Sequence, residues 1–199
     1  MLFKKKFIKK HKSRFGTVRR RRKKFQKETS SNRDSKIKEK VEKAQKMPLT
    51  GSDLVSALCF IPNFIGVFSA DQIHLVKLKQ FPCYFVVNTS ESNMSFGHWI
   101  AIKCSRSRIE IFDSLGGKPN NWGNYPRDLL NFLTHYSFSH NFIISPELQS
   151  QESQLCGLYC IYFILFRSRK TFENLLKPFT SNFAVNDQII SDLLLNIRC

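Results

Sequence analysis

Four residues have types and positions suited to chemistry on a carbonyl group: His98, Asp113, Gln149 and Cys156. Cys156 opens an apolar run, "CGLYCIYFILF", at 156–166. A thiol at a helix N-terminus meets unpaired backbone N–H groups and the positive end of the helix dipole, and both stabilise a negatively charged sulfur. An imidazole beside it could take the thiol proton and form an ion pair. Gly157 would leave space beside the sulfur for a carbonyl substrate, and the Cys156 N–H would face a developing oxyanion. His98 begins one strand-like run and Asp113 ends the next. If these runs pair as a hairpin, their far ends lie side by side, and a carboxylate comes within reach of an imidazole. It could then fix the tautomer and steady the imidazolium. Gln149, seven residues before Cys156 in the polar loop "ELQSQESQL", could supply a second oxyanion donor.

Each residue also has a plain explanation. A lone apolar-flanked cysteine is commonly core, which is the simplest reading of Cys160, one turn deeper in the same run. Asp113 before "SLGG" could cap a turn. Gln149 shares its loop with Gln151 and Gln154, which compete for the same role. Joint order and placement at element ends are what favour chemistry. A zinc site is disfavoured, because Cys156 and Cys160 lie on one helix with no second Cys/His pair nearby, and His135 and His140 lack partners.

The elements that would position these residues can be read in outline. "PLTGSDLVSALCFIP" predicts a short helix over 53–60, stopped by Pro62. Ser69 and Gln72 form a capping-box pattern, so a short helix or turn begins there. Strands are expected at 83–88, 98–103 and 108–113, the last two joined by "CSRS", and another at 140–146. "GGKPNNWGNY" reads as a loop, and "YPRDLLNFLTHY" as an amphipathic helix with Pro126 in its first turn. The run at 156–166 is apolar on nearly all faces and predicts a central buried helix. "TFENLLKPF" and "NDQIISDLLLNI" predict two more. The fold class is α+β, a central sheet with a buried helix carrying the candidate nucleophile.

Charge divides the 199 residues in two. Residues 1–47 hold 20 Lys/Arg and 4 Asp/Glu, whereas 48–199 are nearly neutral. The expected organisation is a disordered basic arm at 1–47 and a domain at 48–199, with a short helix within 36–46 only weakly indicated. "RRRRKK" and its surroundings suit DNA or another polyanion, or nuclear import; a solubilising tail is the alternative. Six cysteines without an apolar leader suggest free thiols in a reducing, intracellular setting. No run of about 18 apolar residues predicts a membrane span.

The segments "GHWIAI", "IEIFDSLGG" and "LQSQESQLCGLYCIYF" resemble the adenovirus endopeptidase (adenain) and the related proteases of SUMO-like modifiers. They are particularly similar to adenain-like proteases of Maverick/Polinton-type transposons and related viruses. "GVFSADQI" and "FAVNDQIISDLL" also look like that group, so the resemblance covers about 50–199. It implies a papain-like cysteine protease core reached in the chain order His…Asp…Cys. Carried over, His98 is the base or imidazolium partner, Asp113 orients it, Gln149 lines the oxyanion hole and Cys156 is the nucleophile. Trp99 would pack beside the site. The adenovirus enzyme has Glu where Asp113 stands, and the SUMO-type proteases have Asp. Adenain also takes a disulfide-linked peptide cofactor through a cysteine that the strand "HNFIIS" lacks, so no cofactor is expected. The implied activity is peptide-bond cleavage in virion or capsid precursor proteins, in the host nucleus or virion, with DNA held by the arm. A protease for ubiquitin-like modifiers and an inactive DNA-binding structural protein are the alternatives.

Overall fold

A computed structural model describes residues 30–94, 97–116, 125–137 and 139–197. Five strands form one sheet in chain order: β1 (Phe64–Ser69), β2 (Cys83–Asn88), β3 (Trp99–Cys104), β4 (Arg108–Phe112) and β5 (Asn141–Ile144). The outer pairs β1–β2 and β4–β5 are parallel, and β2–β3 and β3–β4 are antiparallel. The helices are α1 (residues 30–44), α2 (Gly51–Leu58), α3 (Arg127–Ser137), α4 (Cys156–Phe166), α5 (Phe172–Leu176) and α6 (Phe183–Leu195). A 3-10 turn spans Ala70–Leu75. This is the expected α+β architecture, a mixed sheet with helices on both faces.

Alternation along β2 builds the two cores. Tyr84 and Val86 face a layer made of α1, α2, α4, α5 and α6, whereas Cys83, Phe85 and Val87 face α3 and the 3-10 turn. The strand is therefore apolar throughout. Helix α4 lies against the sheet beneath α2 and α6 and buries ten of its eleven residues, which explains its lack of a polar face. Cys160 is part of that core.

Two features depart from the expectations. First, ordered structure begins well before residue 48. Helix α1 sets Ile37, Val41 and Ala44 on one stripe at i, i+4, i+7, all buried in the main core. Three apolar residues among many charges look like a solvated tail by composition, yet they suffice when the domain presents a matching groove. Buried Asp53 adds polar anchors: Lys43 Nζ lies 2.6 Å from its Oδ2 and Lys40 Nζ 3.3 Å from its Oδ1. The expected disordered arm over 1–47 is thus helical over 30–44, and its first 29 residues lie outside the described part. Second, β1 is a strand where the sequence patterning predicts no element. "NFIGVFS" lacks alternation, and Gly66 sits at a register shift with φ 136°, a bulge that hides the strand pattern. The loop expected over "GGKPNNWGNY" falls largely in 117–124, outside the described residues.

Candidate active site

The two central hairpin strands deliver His98 and Asp113 to one end of the sheet. Ala101 pairs with Phe112, so Asp113 lies diagonally across from His98, within reach of a long side chain. His98 Nε2 and Asp113 Oδ1 are 2.7 Å apart. Gly97, just before His98, runs close against Asn88: a Cβ there would lie 1.8 Å from Asn88 Oδ1, whose position is held by the Ser90 N–H. The far end of β4 is clipped to β5 by Ser145, whose hydroxyl accepts from the Asp113 N–H at 2.8 Å and donates to the Asp113 carbonyl at 2.6 Å.

Asp113 is buried, and every bond it accepts favours its charged form. Oδ1 takes the His98 ring and the Leu115 N–H at 3.0 Å, and Oδ2 takes the Tyr125 hydroxyl at 2.6 Å. Burial pushes its pKa up, but the bond and charge of His98, with Tyr125 and Leu115, hold it below the usual carboxylate range. Burial likewise raises Tyr125, and the Asp113 charge adds to it, so the phenol stays a donor.

Cys156 is the first residue of α4 and lines the cleft with His98. The cap position is Leu155, whose side chain cannot bond the first-turn N–H groups. The first intrahelical bonds start at Leu158 N–H and Tyr159 N–H, both to the Leu155 carbonyl, so the Cys156 and Gly157 amides precede the ladder. Cys156 stands beside the His98 ring in the cleft, close enough to raise the ring's pKa. With Nε2 committed to Asp113, Nδ1 is the ring nitrogen left for sulfur. Burial lowers the His98 pKa, but the bonds and charges of Asp113 and Cys156 outweigh it and push it up to about 9. The ring is therefore an imidazolium at neutral pH.

Of the three glutamines in the loop, Gln149 is the one that is buried, at 1 % exposure, and it lines the same cleft. Its Oε1 accepts from Ser114 Oγ at 2.7 Å, and its Nε2 donates to the Ser153 carbonyl at 2.7 Å, which fixes the amide orientation and leaves Nε2 a second hydrogen. Gln151 is a surface residue bonded to Glu147, and Gln154 is exposed on the cleft rim. The loop is seated by Ser114, whose carbonyl accepts from both the Leu148 and Gln149 N–H groups at 2.8 Å. Gly116, at φ 79°, makes room for it, since a Cβ there would come within 2.8 Å of Glu147 N.

The structure thus brings His98, Gln149 and Cys156 to one cleft of about 740 Å³, with Asp113 buried behind His98. Gly157 does something other than expected. A Cβ there would lie 3.0 Å from Leu49 Cβ, so this glycine admits Leu49 against the helix rather than clearing the front of the sulfur. Leu49 is held by Trp99, whose Nε1 donates to the Leu49 carbonyl at 2.9 Å, and residues 47–51 form one wall of the cleft. Sequence reasoning missed Tyr125, Ser114 and Ser145. All three act through spatial neighbours that no local spacing reveals. Among the described residues, no three His, Cys, Asp or Glu side chains converge to hold a metal ion, and no helix is long and apolar enough to cross a membrane.

A thiol at the head of a buried helix, beside an imidazole that is held by a carboxylate, is an arrangement suited to nucleophilic attack on a carbonyl. No family model and no curated protein matches the sequence. Among solved structures, the chain is similar to the ASFV pS273R protease, at 21% identity and TM-score 0.38, over 58% of this chain and 46% of that one. The chain thus spans less than half the length of that protease. It is also similar to the SUMO protease Ulp1, at 14% identity and TM-score 0.37, over 76% of this chain and 79% of that one. A third similar structure is the Ulp1 protease domain in complex with Smt3, the yeast ortholog of SUMO, at 14% identity and TM-score 0.32, over 68% and 69% of the two chains. These likenesses are too distant to assign residue roles. The functional reading therefore stands on the chain's own side chains.

Proposed function

We propose that this chain is a cysteine endopeptidase. The observation that carries the reading is His98, bonded through Nε2 to Asp113 and partnered on its other side by Cys156, in the cleft that Gln149 lines. The proton that Cys156 gives up rests on the His98 ring as a thiolate–imidazolium pair, and the thiolate attacks the scissile carbonyl carbon. The resulting oxyanion is met by the Cys156 N–H and the second Nε2 hydrogen of Gln149. The imidazolium returns its proton to the departing amine, leaving a thioester on Cys156. Water, deprotonated by His98, then releases the acid and regenerates the thiol. Asp113 keeps the imidazole in the required tautomer throughout.

The substrates proposed are capsid or core precursor proteins of a virus or virus-like element, cut in the nucleus or virion. The three quoted segments support this, and so does an N-terminal stretch, 1–29, with 14 Lys/Arg and one acidic residue, suited to holding the enzyme on DNA. A second reading, a protease for ubiquitin-like modifiers, is favoured by Asp rather than Glu at position 113. Incubating the chain and its Cys156→Ala variant with a capsid precursor and with a tagged ubiquitin-like precursor separates the two. The leading reading requires cleavage of the former that the variant lacks. Preference for the modifier precursor selects the second reading. Cleavage of neither, with salt-sensitive DNA binding intact, leaves an inactive DNA-binding protein.

A further inference from the structure

The segment "FAVNDQIISDLL" has no part in the chemistry above, yet two of its residues grip the loop that carries Gln149. Asn186 on α6 is fully buried with both ends of its amide engaged. Nδ2 donates to the Leu148 carbonyl at 2.9 Å and to the Thr180 carbonyl at 2.9 Å, and Oδ1 accepts from the Thr180 N–H at 2.7 Å. Its neighbour Asp187 lies near the other end of the loop, where burial raises its carboxyl's pKa and the nearby Ser153 side chain and Ser150 backbone oppose that rise. Tyr159, on the nucleophile helix itself, joins them. Its hydroxyl lies 3.0 Å from Asp187 Oδ1 and 3.3 Å from the Leu148 carbonyl, so its one proton goes chiefly to the carboxylate.

These contacts bracket Gln149. Asn186 holds the residue before it, Asp187 sits beside Ser153 and takes the Tyr159 hydroxyl, and Ser153 supplies the carbonyl to which Gln149 Nε2 donates. A buried asparagine with every hydrogen-bonding site used is a stiff clamp, because a displaced loop would leave several buried polar groups unpaired. Tyr159 ties the clamp to the helix that presents Cys156. Donor and nucleophile are thereby referenced to one another.

We infer that Asn186 and Asp187 are positioning residues that hold the Gln149 amide in register with Cys156 by bracketing its loop from α6. The inference rests on the hydrolase reading for its catalytic consequence, but the clamp itself can be measured without it. Oxyanion stabilisation needs the donor placed to within a fraction of an ångström, and a misplacement of about 1 Å can cost about a hundredfold. Alkylation of Cys156 by iodoacetamide makes no oxyanion and needs only the thiol and His98.

The test compares the full-length chain with Asn186→Ala and Asp187→Ala; the second is partly exposed and preserves folding if the first does not. Expected for both are a fall in kcat of about ten- to a hundredfold, a nearly unchanged KM and an unchanged rate of Cys156 alkylation at pH 7. Amide hydrogen exchange at Leu148 and Gln149 should quicken while that of the β2 strand does not. The inference is overturned if exchange at those two amides is unaltered, or if alkylation falls together with kcat, which would mark general loosening. If the wild-type chain hydrolyses no acyl substrate, the endopeptidase reading fails, and the exchange measurement still decides the clamp.

Discussion

Replacing Asp113 with Asn keeps the shape of the side chain and removes its charge. If the Asn oxygen takes over the bonds from His98 and the Leu115 N–H, the Asn amide faces Tyr125, whose hydroxyl can turn and accept. The fold therefore tolerates the change. The imidazolium does not. His98 stands at about 9 against an ordinary 6.5, because the Asp113 and Cys156 partners outweigh the burial that would lower it. That interval corresponds to about 3 kcal/mol favouring the protonated ring, and the Asp113 hydrogen bond is the largest contribution in that direction. Because the folded value is raised, the stability the charged ring brings is complete below pH 6.5 and is lost as pH rises through 9. Cleavage needs the imidazolium to protonate the leaving amine, so wild-type kcat/KM should fall on the alkaline side near pH 9. In Asp113→Asn that limb should move down by at least about one pH unit, and kcat/KM at pH 9 should drop about fivefold or more. The assay is kcat/KM against pH with one peptide that the wild type cleaves, alongside thermal melting to confirm folding. A folded variant whose alkaline limb stays near 9 would refute the assignment of Asp113 as the group that sustains the charge.

Tyr125→Phe removes the donor to Asp113 Oδ2 while leaving His98 in place, so kcat/KM should fall several-fold and stability by about 1 kcal/mol, measured by steady-state kinetics and denaturant titration. Gly116→Ala places a methyl against the Glu147 backbone at a positive φ; a loss of about 1–3 kcal/mol is expected, together with reduced kcat because the Gln149 loop must shift. Asp53→Ala strands Lys40 and Lys43 and removes the carboxylate that accepts from the Thr50 N–H and hydroxyl in the capping box of α2, costing about 2 kcal/mol and exposing α1 to limited proteolysis. Deleting residues 1–29 should steeply reduce salt-sensitive DNA binding with basal cleavage intact, whereas deletion through residue 47 also strips Ile37 and Val41 from the core and should unfold the domain.

The parts of the fold that follow from local patterning were legible. Cys83–Asn88 and Cys156–Phe166 begin and end where their apolar runs do, and the Ser69/Gln72 pattern does open a turn, with Gln72 Oε1 accepting from the Ser69 N–H at 3.3 Å. The hairpin argument for His98 and Asp113 succeeds because antiparallel pairing converts a sequence spacing into a distance. Helix α1 was obscured because its apolar stripe has three members and its stabilising partner, Asp53, lies in a later element. Gly157 misled for a related reason, since what it accommodates, Leu49, is over a hundred residues away. Tyr125, Ser145 and Asn186 share this property. Each acts on the site through a contact fixed only once the sheet and α6 are assembled.

The central claim is that His98 makes the Cys156 sulfur a nucleophile. A substoichiometric electrophilic peptide probe, with intact-mass and peptide mapping of the labelled chain, tests it most directly, because the exposed thiol of Cys59 is an internal control. The account predicts a single rapid adduct on Cys156 at pH 7 that slows by about a hundredfold or more in His98→Ala, with slow background labelling of Cys59 in both. Equal labelling of Cys59 and Cys156, or a Cys156 rate indifferent to His98, would contradict it.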